Sequence, residues 1–169
     1  VEWTRMTIRE ATERDVDAIH DVAKAAWETD YPDILSRETV EEGVEEWYDP
    51  SSLHDAVTDS RTRLFVAVDG ETVVGFAHAV LSGEADGHIL RLYVHPEHRE
   101  QGLGRRLFEE TRTDLVEHGV DRLYAMVLAD NDLGAAFYHS LGFEKTDESE
   151  TTIGGNAYRE STFVLKPMT

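Results

Sequence analysis

A chain of 169 residues can bury a sizeable core as one domain, and without cysteine it has no disulfide, thiolate nucleophile or cysteine-ligated zinc. Its formal net charge of -19 makes nucleic acid and anionic membrane poor partners for the general surface. No apolar run is long enough to span a bilayer and no signal-peptide pattern opens the chain; the absence of cysteine fits a cytoplasmic protein, and with this charge no membrane partner is expected.

Val1 to Arg5 read as a ragged leader, and a single domain is expected within residues 1–169. Thr7 to Arg9 reads as a first strand. Thr12 and Asp15 have capping-box spacing, and Val16, Ile19, Val22, Ala23, Ala26 and Trp27 recur at helical intervals, so a helix is expected to end before Pro32. Ser36 can cap a second helix to about Tyr48, with Val40, Val44 and Trp47 on one face. Asp49 to Ser52 reads as a break before a short helical turn through Leu53 and Val57. Arg63 to Val68 is an apolar strand, Asp69-Gly70 a hairpin turn, and Thr72 to Leu81 the next strand. Ser82 to Gly87 is a polar turn before a strand ending at Val94. Three strands on tight turns make an antiparallel meander.

The pattern then changes. A helix from about Leu103 carries Leu107, Phe108, Leu115 and Val116 toward a core and stops at Gly119. Leu123 to Ala129 is almost wholly apolar, as in a strand covered on both faces. The intervening helix makes it parallel to the strand ending at Val94. Asp130 to Asp132 turns into a short helix, Leu133 to Ser140, closed by Gly142. Two last strands, Glu144 to Ile153 and Ala157 to Leu165, are joined through Gly154-Gly155-Asn156. The fold class is α/β (α+β): a mixed, mostly antiparallel central sheet with one parallel pair and flanking helices.

The stretch from Ile89 to Leu107 carries the chemistry. An apolar strand stops at Pro96, a loop with Gly102 and Gly104 follows, and a helix opens. Backbone N–H groups and the positive end of a helix dipole make an anion site there. No Gly-Lys-Ser or Gly-Lys-Thr step occurs, and Leu107 stands where a dinucleotide fingerprint needs its third glycine, so nucleotide hydrolysis and hydride transfer are disfavoured. Arg91, Arg99, Arg105 and Arg106 gather here with His95 and His98, a local cationic patch on an anionic chain. The ligand reading suits Arg99 and Arg105; an ordinary solvated helix face suits Arg106, with Glu109 and Glu110 in pairing distance. Lysine occurs only at Lys24, Lys145 and Lys166 among the 16 basic residues. An acid-rich, lysine-poor surface suits high salt and predicts a halophilic source.

The run Leu92-Tyr93-Val94-His95-Pro96-Glu97-His98-Arg99, followed by Glu100-Gln101-Gly102-Leu103-Gly104, resembles the signature of the GNAT superfamily of N-acetyltransferases. So do Asn131, Ala136-Phe137-Tyr138 and Leu141-Gly142-Phe143 downstream. The resemblance runs from about Met6 to Leu165. It implies acetyl-CoA as donor and a primary amine, of a small molecule or a protein, as acceptor. The CoA pyrophosphate would lie over the N–H groups from Glu100 to Gly104, with Arg99 adding charge. The pantetheine would pair with Leu92, Tyr93 and Val94 like an added strand, which requires the sheet to open beside them. A backbone N–H near Val94 could stabilise the developing oxyanion.

Tyr138 stands where the family often places the acid that protonates the CoA thiolate; its alternative is a core tyrosine packed like Phe137. Asn131 either hydrogen-bonds the pantetheine or caps the helix from Leu133. Glu84, Asp86, His88 and His78 are weak candidates for the base, which stays unassigned. Trp27 and Tyr31, beside Asp30, could receive a cationic amine, although Trp27 also completes the core stripe of its helix. No metal site is expected from His95 and His98, which Pro96 separates. A non-catalytic acyl-CoA sensor on the same fold is the alternative function. Homodimers are common in the family.

Overall fold

A computed structural model describes residues 6–30, 50–98, 102–153 and 155–165. In chain order they form β1 (Met6–Glu10), a 3₁₀ turn (Glu13–Asp15), α1 (Val16–Asp30), α2 (Pro50–Thr58), β2 (Thr62–Asp69), β3 (Thr72–Ser82) and β4 (Asp86–Val94). A second 3₁₀ turn (Pro96–His98), α3 (Leu103–Glu117), β5 (Arg122–Leu128), α4 (Asp132–Ser140), β6 (Glu144–Ile153) and β7 (Asn156–Leu165) follow. The helix expected from Ser36 to Tyr48 lies outside the described residues.

The start of α1 is built as its sequence prescribes. Thr12 and Asp15 form the capping box, with the Thr12 N–H donating to Asp15 Oδ2 at 2.7 Å. Arg9 then grips the same carboxylate with two hydrogen bonds of 2.8 and 3.0 Å. Asp15 is buried. Burial alone would push its carboxyl up, but the bonds from Arg9 and Thr12 outweigh that and hold it below the ordinary carboxylate value. One expectation fails nearby: Pro50 to Ser52 are the first turn of α2, not a break. Proline's fixed φ and missing N–H suit the first helical position, where no intrahelical donor is needed.

The strands form one sheet in the order β1-β2-β3-β4-β5-β7-β6. Only the β4–β5 pair is parallel, as a helical crossover between them requires. The Asp69-Gly70 hairpin turns at Gly70, whose φ of 64° costs a glycine little. Strand alternation sorts the core into two sides. Leu64, Val66, Val68 and Phe76 pack against Ile19, Val22 and Trp27 of α1. Phe65, Ala67, Ala77 and Val94 face Leu103 and Leu107 of α3. On that same side Ile89, Leu123, Ala125 and Val127 meet Phe108 and Leu115 of α3 and Tyr138 of α4. The final hairpin lies with β7 between β5 and β6, so β6 forms an edge, and its polar residues are mostly exposed.

Candidate functional site

One irregularity in β4 creates the site. In its ladder with β3, His78 pairs with Arg91 and Ala79 with Ile89, so Leu90 is an extra residue. Such a bulge bends a strand and breaks its pairing. It also resets which way side chains point. Ile89 faces α3, and so do Leu92 and Val94, an odd step of three that only an inserted residue allows. Tyr93 is thereby turned to the α1 side, where its ring meets Phe76 edge-on at 5.7 Å.

The β4–β5 ladder ends at Ile89 and Ala125, next to this bulge. Beyond that pair β5 keeps β7 as its neighbour, through Leu128 and Glu160. The two parallel strands therefore splay, and a cleft of about 410 Å³ crosses the sheet between them. On the α3 side its wall includes Gly102, Gly104, Arg105, Gly134, Phe137 and Tyr138. On the α1 side it includes Trp27, Arg91, Tyr93, Leu128 and Glu160.

The α3 wall is shaped by glycine. Gly102 stands before the first turn of α3 with φ 74°, and among the described residues no side chain caps that helix end. The first-turn N–H groups of α3 therefore have no side-chain acceptor of that kind, which suits an anion. A Cβ on Gly104 would lie 3.4 Å from the Phe137 ring. A Cβ on Gly134 would lie 2.9 Å from Val127 Cγ1 and 2.7 Å from Asn131 Nδ2, so no larger residue fits. Asn131 caps α4, its Oδ1 accepting from the Gly134 N–H at 3.0 Å, and it also borders the cleft. The capping alternative is thus realised. Arg105 reaches α4 and donates to the Ser140 carbonyl at 3.4 Å. Arg106 is half-buried on α3; Glu109 bonds Arg112 instead. Arg99, Glu100 and Gln101, expected at the pyrophosphate, and Tyr31 lie outside the described residues.

Tyr138 is packed in the core, as one of its two readings has it, and it also borders the cleft. Its ring is buried and meets Phe137 and Phe143 at centroid distances of 5.3 Å, yet it lines the cleft. Burial pushes its phenol well above the ordinary value, with Tyr93 adding to the shift and Arg91 partly opposing it. A phenol so held keeps its proton at neutral pH and can donate a hydrogen bond into the cleft. Trp27 is likewise 1% exposed in the α1 core and part of the cleft wall.

The candidates for a base do not converge on the cleft. Glu84, Asp86 and His88 lie on the far side of the Ile89–Ala125 pair, and the His88 ring stacks on Tyr124 at 5.0 Å. Burial and then the Arg91 charge push His78 down to about 4, so it is neutral at pH 7 and weakly basic. His98 does line the cleft, with Nε2 3.7 Å from Asp69. Among the described residues no group of three or more His, Asp or Glu could hold a metal. None of their helices is long and apolar enough to cross a membrane. Sequence reasoning missed Glu160, whose place depends on β7 lying beside β5.

Residues 17–143 match the Acetyltransferase (GNAT) family. Spermidine N(1)-acetyltransferase of Thermoplasma acidophilum is 28% identical over 150 residues, 85% of this chain and 92% of that protein. Among solved structures, the PaiA N-acetyltransferase of Thermoplasma acidophilum in complex with coenzyme A superposes with a TM-score of 0.81 at 25% identity, covering 92% of this chain and 97% of that one. The ribosomal-protein-S18-alanine N-acetyltransferase of Escherichia coli shares the fold, with a TM-score of 0.74 at 20% identity over 96% of this chain and 94% of that one.

Proposed function

The chain belongs to the acetyltransferase (GNAT) family, and from that premise we propose that it moves the acetyl group of acetyl-CoA to the primary amine of a cationic small molecule. The observation that carries this reading is the split of the sheet past Ile89 and Ala125. It leaves the bulged half of β4 with β3 on one side and a cleft on the other. An extended arm with two amides fits beside such a strand. The residues present suit the donor: Gly102, Gly104 and Gly134 make room, and the α3 N-terminus and Arg105 supply positive potential for a pyrophosphate. Arg99, Glu100 and Gln101 complete that loop in this reading. Asn131, held by its cap, presents its amide to the pantetheine.

Acetyl-CoA supplies the activated acyl group when bound. Tyr138 holds a proton on the α3 side of the cleft and gives it to the departing thiolate. The acceptor enters from the α1 side, past Trp27 and Tyr93, whose π-faces favour a cation. Tyr31 belongs to this entrance in the same reading. The amine must lose its proton before attack, and no side chain is assigned to that step. The similarity to a protein named for spermidine acetylation favours a small amine over a protein terminus. A high-salt setting accords with the charge of -19, and a cytoplasmic one with the absence of cysteine.

The test is thiol release from acetyl-CoA with a panel of primary amines. Amine-dependent release supports the enzyme. Tight acetyl-CoA binding with no transfer to any amine would favour a sensor instead.

A further inference from the structure

Glu160 is the sole carboxylate among the described residues lining the cleft, in a chain with 35 acidic residues. It sits on β7 opposite Leu128, beyond the point where β4 and β5 part. Directly paired residues share a sheet face. Leu128 belongs to the α1-side core, so Glu160 lies on that face too, on the wall that includes Trp27 and Tyr93. Its neighbour Ser161 is buried, and Phe163 packs on the opposite side with Tyr138.

Glu160 is half-buried, and among the described residues its carboxylate has no hydrogen bond or ion pair. Neighbouring charges are engaged elsewhere. Arg159 reaches out to Glu148 on β6 at 3.2 Å, and the Arg91 guanidinium donates to the Leu90 carbonyl. A half-buried carboxylate without a partner is open to pairing with a bound cation through charge-assisted hydrogen bonds. We propose that Glu160 is the specificity-determining residue for the acceptor, receiving a second ammonium group of a diamine or polyamine while the first is acetylated.

The chemistry separates the two nitrogens. A carboxylate that binds an ammonium stabilises its protonated form and so opposes attack by that nitrogen. The group held by Glu160 is therefore one that stays charged throughout the reaction. The attacking amine lies deeper, toward Tyr138. The cleft thus presents Arg105 of α3 to the donor and, on the α1-side wall that Arg91 also lines, the one carboxylate of β7 to the acceptor.

This inference rests on the acetyltransferase reading, and the experiment separates the two. Steady-state KM and kcat are measured with butylamine, putrescine and spermidine for the wild-type chain, Glu160→Gln and Glu148→Gln. Glu148 is on β6, outside the cleft, and controls for loss of one negative charge. Wild type should have the lower KM for putrescine and spermidine. Glu160→Gln should raise these about tenfold or more, the worth of one charge-assisted hydrogen bond, and leave butylamine nearly unchanged. Glu148→Gln should leave the ratio as in wild type. Retained butylamine turnover shows that the variant is folded; if it is lost, Glu160→Ser with its melting curve replaces it as a second variant without the charge, and the same ratio is read. An unchanged diamine-to-monoamine ratio, in a chain that does transfer acetyl groups, overturns the role of Glu160 alone. No transfer to any amine overturns the acetyltransferase reading and this role together.

Discussion

Ile89 and Ala125 form the last pair of the β4–β5 ladder, and the bulge at Leu90 begins one residue beyond it. The sheet is closed up to this pair and open after it. Residues on the near side, such as His88 and Asp86, therefore lie away from the cleft, whereas Leu92, Tyr93 and Val94 border it. A single inserted residue decides both the opening and the direction of Tyr93.

Tyr138 gives the most direct test of the mechanism. Replacing it with Phe keeps the ring that packs on Phe143 and removes only the hydroxyl. We expect kcat to fall by about a hundredfold, a usual value for loss of a positioned acid, with little change in KM for acetyl-CoA. Because burial raises the phenol's pKa, the wild-type rate should show no alkaline loss due to Tyr138 up to pH 10. A kcat–pH profile checks this. A descending limb near pH 9 that disappears in the Phe variant would contradict the raised pKa, and an unchanged kcat would remove the role.

Gly104 separates stability from binding. It lies in the first turn of α3, where alanine is the better helix former by about 1 kcal/mol. A methyl there meets the Phe137 ring at 3.4 Å, close to ordinary contact. Gly104→Ala should therefore melt at the wild-type temperature or slightly above it. The same methyl narrows the glycine-lined wall, so KM for acetyl-CoA should rise about tenfold, reflecting overlap with the donor. Thermal melting and donor kinetics on one preparation decide the matter. A drop in stability with unchanged KM would mean that Gly104 serves packing alone.

Local signals in the chain were clear where one short-range rule governed the outcome. Thr12 and Asp15 announced their capping box and Asp69-Gly70 its hairpin, and the cap at Asn131 was one of two readings its place allowed. The crossover through α3 made the parallel β4–β5 pair readable, and with it most of the fold. The bulge was hidden because Ile89 to Val94 has no glycine or proline to mark it, and its extra residue shows only in pairing with β3. Glu160 was hidden for a longer-range reason. Its neighbours, Arg159 and Ser161, read as a polar strand of a hairpin. Only the insertion of β7 between β5 and β6 brings it to the cleft.

Asp15 predicts how acid weakens the fold. Its carboxyl is held below the ordinary value by Arg9 and Thr12 against the cost of burial. A depressed folded-state pKa means stabilisation that is complete above the unfolded value, about 3.9, and is lost as pH falls through the folded value. Asp15→Asn should destabilise the protein by about 1–2 kcal/mol at pH 7, allowing for the exposure of Arg9. The gap between variant and wild type should narrow in acid. Urea unfolding at pH 7 and near pH 3 measures it; a gap that widens on acidification would show that the ion pair is not its source.

Charge predicts the response to salt. At a net charge of -19 the chain repels itself, and β6 alone exposes Glu144, Asp147 and Glu150. Screening acts within about 10 Å at 0.1 M salt and about 3 Å at 1 M, so molar KCl should relieve most of this repulsion. The pairs most shielded from salt, Arg63 with Asp114 at 2.7 Å and Arg9 with Asp15 at 2.8 Å, join residues partly withdrawn from solvent and should weaken less. The melting temperature should therefore rise by several degrees between about 0.1 and 2 M KCl. A flat or falling series would mean that self-repulsion is not limiting, and would remove the argument for a high-salt setting.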